Sequence, residues 1–177
     1  MKANPGRARY GSTGVGATAH MGTAMFESAA GVKGTHVPYP GIAPVYTDLL
    51  GGSIDFTVGA SVPFLEGLRP IASSGSKRHP VYPNLPSFEE AGFKAAAWDI
   101  WFGFVAPPNL PKPIADKLIA ELGATLKDPE AIAKFQSAAK LAPETSPLIG
   151  DAFKRQVLDE MKNWKTVVDR EKIAVQQ

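Results

Sequence analysis

A chain of 177 residues, 44% hydrophobic and 20% charged, has the composition of a folded globular protein with one domain, or one domain and part of another. The formal net charge is +2 with the basic residues scattered, so no basic stripe interleaved with aromatics points to nucleic acid. The absence of cysteine excludes disulfides, thiol catalysis and cysteine-bound metals, and no apolar run is long enough for a membrane-spanning helix.

The first six residues, Met1 to Gly6, lack the apolar core of a signal peptide. Residues 7–13 read as a first strand leading into a glycine-rich loop. A small-residue helical pattern follows from Val15 to Ala30, with Met21, Met25 and Phe26 at helical spacing, and Gly31 and Gly34 end it. Thr35 to Tyr39 is a second strand, Pro40-Gly41 a turn, and Ala43 to Leu50 a short helix stopped by Gly51-Gly52. Ser53 to Val58 alternates as a third strand, Pro63 to Gly67 as one helical turn, and Arg69 to Ser73 as a fourth strand. This β-α-β-α order predicts an α/β fold, a mostly parallel sheet flanked by helices.

The chain then changes character. Residues 76–92 are extended and proline-rich. Ser87 and Glu90 have the spacing of a capping box before a short helix that ends at Gly92. The aromatic stretch Ala97 to Val105 predicts a buried strand, closed by Ala106-Pro107-Pro108. Three C-terminal helices follow. The first opens at Pro113, with Ile114, Leu118, Leu122 and Leu126 on one face. The second opens at Asp128-Pro129-Glu130, with Ile132 and Phe135 inward. The third opens at Ser146-Pro147, with Ile149, Phe153, Val157, Met161, Trp164 and Val168 as its stripe.

The stretch most suggestive of function is Arg9-Tyr10-Gly11-Ser12-Thr13-Gly14-Val15-Gly16-Ala17-Thr18-Ala19-His20. Glycine lets a backbone approach a ligand closely. A helix opening at such a loop turns free N–H groups and its positive dipole end toward an anion, a carboxylate or a phosphate. Gly14-x-Gly16-x-x-Ala19 fits the dinucleotide fingerprint in form. That fingerprint also needs an acid near the end of the second strand, and residues 33–46 contain none. An NAD- or FAD-binding enzyme of Rossmann type is therefore the alternative reading. No Walker loop, no serine-nucleophile elbow and no paired acid–base carboxylates are present. His20 either touches the ligand or packs; His36 reads as structural, and His79 as solvated. In a parallel sheet, the loops after residues 11, 39 and 58 gather at one rim, which adds Tyr39, Gly41 and Gly59 to the candidates.

Read in order, these motifs resemble one family. Tyr10 to Gly16, His20, His36-Val37-Pro38-Tyr39-x-Gly41-x-x-Pro44 and Asp48-Leu49-Leu50-Gly51-Gly52-x-Ile54-Asp55 take part. So do Lys77-Arg78, Pro83-x-Leu85-Pro86-Ser87-x-x-Glu90-Ala91-Gly92, Trp101-Phe102-Gly103-x-x-Ala106-Pro107 and Trp164. The set is similar to the extracytoplasmic solute receptors of tripartite tricarboxylate transporters, the Bug receptors. The resemblance implies a periplasmic-binding-protein type II-like fold of two α/β lobes and a periplasmic location. It also implies that the protein is no enzyme, takes no cofactor or metal, and captures a small carboxylate for delivery to the membrane permease subunits. In that pattern backbone amides and hydroxyls hold the carboxylate. The carried-over ligand-binding residues are Ser12, Thr13, Gly14, Gly16, Thr18, His20, Tyr39, Gly41 and Gly59. The resemblance covers only the C-terminal part of such receptors. Residues 1–96 would be the second lobe, and 97–177 a crossover strand and helices packing on a first lobe. The chain would then be a truncated receptor, with helix faces open to self-association. Phe64 to Pro70 is shorter than its counterpart in the family.

Overall fold

The computed structural model describes residues 1–59, 66–80, 82–101, 103–139 and 148–173. The expected one-turn helix at 63–67 lies largely outside these residues, as do part of the shortened 64–70 connection and the Ser146-Pro147 helix start. The chain divides into two compact units, Met1–Asp99 with Glu160–Gln177, and Ile100–Asp159.

The first unit is built on β1 (Arg9–Ser12) and β2 (Thr35–Pro38), paired in parallel with Tyr10 opposite His36 and Ser12 opposite Pro38. Between them runs α1 (Thr18–Ala30), and after β2 comes α2 (Ile42–Leu50). This is the βαβα order that the sequence predicts. The third strand is present only as a single parallel bridge, Tyr10 to Phe56. It is supported by Asp55 N–H to Arg9 O at 2.8 Å and Gly11 N–H to Phe56 O at 3.2 Å. Since Tyr10 pairs with both His36 and Phe56, β1 is the central strand. The expected fourth strand likewise shrinks to the bridge Ser73–Ser87.

The buried face of α1 is made of small residues, Ala19, Gly22, Thr23 and Ala24, with Glu27. Small side chains let neighbouring groups come close. A Cβ on Gly22 would lie 2.5 Å from Cζ2 of Trp98, so the indole rests on the helix backbone itself. Trp98 also meets Trp164 edge to face, with centroids 5.9 Å apart, and this ties the C-terminal helix to the unit. Glu27 is buried, accepting Gly34 N–H at 2.5 Å and Lys33 Nζ at 2.9 Å, so it anchors the connection from α1 to β2. On the other side, Val45 of α2 and Ile54 are fully buried against β1. A satellite cluster of Phe26, Phe88 and Phe93 completes the apolar interior.

Ser87 and Glu90 form both hydrogen bonds of the expected capping box, Ser87 N–H to Oε2 at 2.9 Å and Glu90 N–H to Oγ at 3.1 Å. They close a turn rather than a helix. The stretch 97–105 corrects the sequence reading: among its described residues only Trp98 is buried, Phe104 and Val105 are 76% and 90% exposed, and no strand forms. A strand needs a neighbour for its hydrogen bonds, and beyond Trp98 N–H to Ser74 O at 2.9 Å the described residues supply no ladder for it.

The second unit holds α3 (Lys112–Thr125), α4 (Pro129–Ala139) and the first part of α5 (Asp151–Glu171). Asp128 caps α4 through Ala131 N–H at 2.8 Å, as its position before Pro129 predicts. Phe153 meets Trp101 edge to face at 5.2 Å. The expected inward faces are largely open: Ile114, Leu118, Phe135 and Ile149 are each more than 40% exposed. In α5 the buried residue is Val167, while Met161 of the predicted stripe is 63% exposed.

Candidate functional site

Parallel pairing puts the ends of β1 and β2 at one edge of the sheet. Tyr39 N–H donates to Ser12 O at 2.8 Å, so the loops after the two strands are joined at that edge. Gly59 lies there too, since a Cβ on it would sit 3.8 Å from the Ala19 methyl. The structure therefore brings Ser12, Tyr39 and Gly59 to one rim, beside the start of the first helix.

The loop from Thr13 to Ala17 is wound by Gly14 at φ 126° and Gly16 at φ 78°, both in the region that disfavours residues with a Cβ. Val15 to Ala17, which the sequence assigns to the helix, belong to this loop, and α1 begins at Thr18. Ala17 occupies the N-cap position in an extended conformation (φ −63°, ψ 156°), so the helix has no side-chain cap. The first N–H groups of any helix lack an intrahelical acceptor. Among the described residues, those of Thr18, Ala19 and His20 meet none. Three donors and the positive end of the helix dipole are left facing the rim.

Ser12 is fully buried under this loop. Its hydroxyl donates to Gly14 O at 2.9 Å and accepts Gly14 N–H at 3.2 Å, and it lies 2.6 Å from Nε2 of His36. At the far end of the loop Gly16 N–H donates to Nδ1 of His20 at 3.1 Å. The two imidazoles stack with centroids 3.9 Å apart and planes 6° from parallel. Tyr10 lies beside the stack, with its ring centroid 5.0 Å from His36 and 6.3 Å from His20, and Phe56 lies 5.6 Å from Tyr10. Burial pushes the His20 ring below the ordinary histidine range. Burial, together with the neighbouring His20, takes His36 down to about 4. Both rings are neutral at neutral pH. Burial also raises the Tyr10 hydroxyl, which stays protonated.

His36 is the residue that the sequence reading set aside as structural. Its signal was the parallel register. Positions 10 and 12 of β1 share a face with 36 and 38 of β2, which sets a histidine diagonally beside Ser12. Tyr39 is at the rim, but its hydroxyl donates to Asp48 Oδ2 at 2.6 Å, a bond that raises its pKa. Gly41, at the N-cap of α2, has extended backbone and open space where a Cβ would stand. The Arg9 guanidinium is engaged at the other end of β1, with Gly52 O at 3.2 Å and Asp55 Oδ2 at 3.6 Å. The rim is therefore a set of neutral donors, suited to an anion of modest charge.

A protein of Agrobacterium vitis from the TAR-I ttuE-ttuC' intergenic region is 31% identical over 96% of this chain and 49% of its own length. An R. palustris protein solved with adipate superposes with a TM-score of 0.81 at 31% identity, over 98% of this chain and 58% of its own. The periplasmic binding protein BugD gives 0.73 at 29% identity, over 97% and 59%. The α/β architecture is thus that of periplasmic binding proteins, and the chain spans about half the length of the curated relatives it matches. The family model for the tripartite tricarboxylate transporter family receptor matches residues 1–173, and the chain belongs to that family.

Proposed function

We propose that this chain carries the carboxylate-holding part of a periplasmic solute receptor, which captures a small carboxylate and hands it to the membrane permease of a tripartite tricarboxylate transporter. The observation that carries the reading is the uncapped start of α1, where the N–H groups of Thr18, Ala19 and His20 follow a loop shaped by Gly14 and Gly16. The adipate in the R. palustris relative supports a carboxylate as ligand. In this reading residues 1–96 are the second lobe of a two-lobe receptor. Ser12, Thr13, Gly14, Gly16, Thr18 and His20 form the seat, with Tyr39, Gly41 and Gly59 around it. Such a receptor binds and releases its ligand without chemical change. Apolar residues such as Ile114, Leu118 and Met161 leave surface for self-association or for other parts of a receptor. Against a nucleotide enzyme, β2 ends without a carboxylate, and the nearest one in the chain, Asp48, holds the Tyr39 hydroxyl.

The test removes one donor and leaves the helix intact. Thr18 is the first helical residue, where proline is well tolerated, and Ala17 already has the extended backbone that proline requires before it. Thr18→Pro deletes one N–H, while Thr18→Ala deletes only the hydroxyl and methyl. Calorimetric titration with adipate and a panel of other small dicarboxylates and tricarboxylates should show Thr18→Pro weakened by about tenfold or more, since a hydrogen bond to a charged group contributes about 1.5–3 kcal/mol. Wild-type affinity in a correctly folded Thr18→Pro would refute the placement of the ligand, and NAD binding in place of every carboxylate would refute the class.

A further inference from the structure

The two histidines bracket the glycine loop. His36 reaches its beginning through Ser12, and His20 reaches its end through Gly16. Neither interaction points a histidine at a ligand; each spends a ring nitrogen on the loop. We propose that His20 and His36 are positioning residues, a stacked pair that locks both ends of the loop in the one conformation that leaves the first N–H groups of α1 to the carboxylate. This rests on the reading of the loop as a carboxylate seat.

The protonation pattern follows from the hydrogen bonds. Nδ1 of His20 accepts the Gly16 N–H, so the proton of the neutral ring is on Nε2. With the Ser12 hydroxyl proton given to Gly14 O at 2.9 Å, the lock has Nε2–H of His36 donating to Ser12 Oγ at 2.6 Å, a tautomer that the spectra below test. The two rings are therefore the same tautomer, stacked nearly parallel. Burial is the largest influence on His20 and outweighs the nearby Glu27 carboxylate, which favours the protonated ring and is itself countered by Lys33, 2.9 Å from it. A protonated His20 has no lone pair for Gly16, so the lock requires the neutral ring that burial provides. The stack is also what links the two ends. His20 comes from α1 and His36 from β2, and their contact at 3.9 Å fixes the loop across the helix–strand boundary.

The experiment uses conservative variants that keep one function of each ring. Asparagine at 20 keeps an acceptor in place of Nδ1, and glutamine at 36 keeps a donor in place of Nε2. Leucine at 36 keeps bulk in the stack with no donor. Long-range proton–nitrogen spectra of the wild-type histidines should report Nε2–H for both rings; an Nδ1–H tautomer at His20 overturns the proposal. Hydrogen exchange at the Gly16 amide should speed up about tenfold in His20→Ala and return toward wild type in His20→Asn. Adipate binding should weaken about tenfold in His20→Ala and His36→Leu, and recover in His20→Asn and His36→Gln. Equal binding by His36→Leu and His36→Gln would show that packing alone matters and would refute the lock. If adipate and the other carboxylates fail to bind the wild type while the tautomers and Gly16 exchange come out as expected, the carboxylate reading falls and the two-ended lock stands.

Discussion

A helix that starts on alanine forgoes a cap that most helices have. Serine, threonine, asparagine or aspartate at that position typically adds about 1 kcal/mol. Ala17 already has the extended backbone of an N-cap residue, so no rearrangement is needed to install one. Ala17→Asp should place its carboxylate on the N–H groups of Ala19 and His20, the donors reserved for the ligand. The cap and the favourable helix dipole together should stabilise the protein by about 1–2 kcal/mol. For a chain of this size that is an upward shift of several degrees in Tm, at about 2–4 °C per kcal/mol. The same substitution should weaken carboxylate binding by more than tenfold, because the new side chain competes for the seat and repels the ligand. Ala17→Asn should stabilise less and obstruct binding without the repulsion. Paired melts and titrations of the three proteins check this, and the diagnostic is the opposite sign of the two effects. A less stable Ala17→Asp, or one that binds adipate as wild type does, would refute the idea that the uncapped helix start is the seat.

Other substitutions test the framework beneath the seat. Gly22→Ala gains helix propensity of about 1 kcal/mol, but its methyl would stand 2.5 Å from the Trp98 ring. Overpacking of about 1–3 kcal/mol should win, giving a lower melting point and altered tryptophan fluorescence; a more stable variant would show that the indole moves freely. Glu27→Ala strands the buried Gly34 N–H and should cost about 1–3 kcal/mol in chemical denaturation. Glu27→Gln keeps that acceptor and loses only the pair with the exposed Lys33, so it should cost less than 1 kcal/mol or so. His36 is held near 4 in the folded chain against an ordinary 6.5. The unfolded chain therefore binds more protons between these values. The contribution of the neutral ring is complete above pH 6.5 and is lost as pH falls toward 4. With allowance for partial exposure of the ring, the loss is about 1–2 kcal/mol, and it should be missing from the pH profile of His36→Gln.

Residue types and spacing by themselves determined the order of the first elements. Glycines and prolines punctuate the chain at Gly31, Gly34, Pro40-Gly41 and Gly51-Gly52, and β1, α1, β2 and α2 fall between them. That local chemistry also located the loop at Ser12 to Gly16, because glycines before a helix are visible in one dimension. Pairing decided the rest. The alternating segment at 53–58 and the short segment at 69–73 read as strands but each forms only a single bridge, since a ladder depends on what lies alongside and not on the segment itself. The aromatics at 101–105 read as core, yet burial needs a facing surface, and Phe104 and Val105 have little of it. His36 looked like an isolated histidine, fifteen residues and more from any partner. Parallel register laid it beside Tyr10 and Ser12, and the helix returned His20 onto its face. Sequence carries the identity of such groups, but their stacking and shared hydrogen bonds exist only where distant backbone segments are brought within a few ångströms.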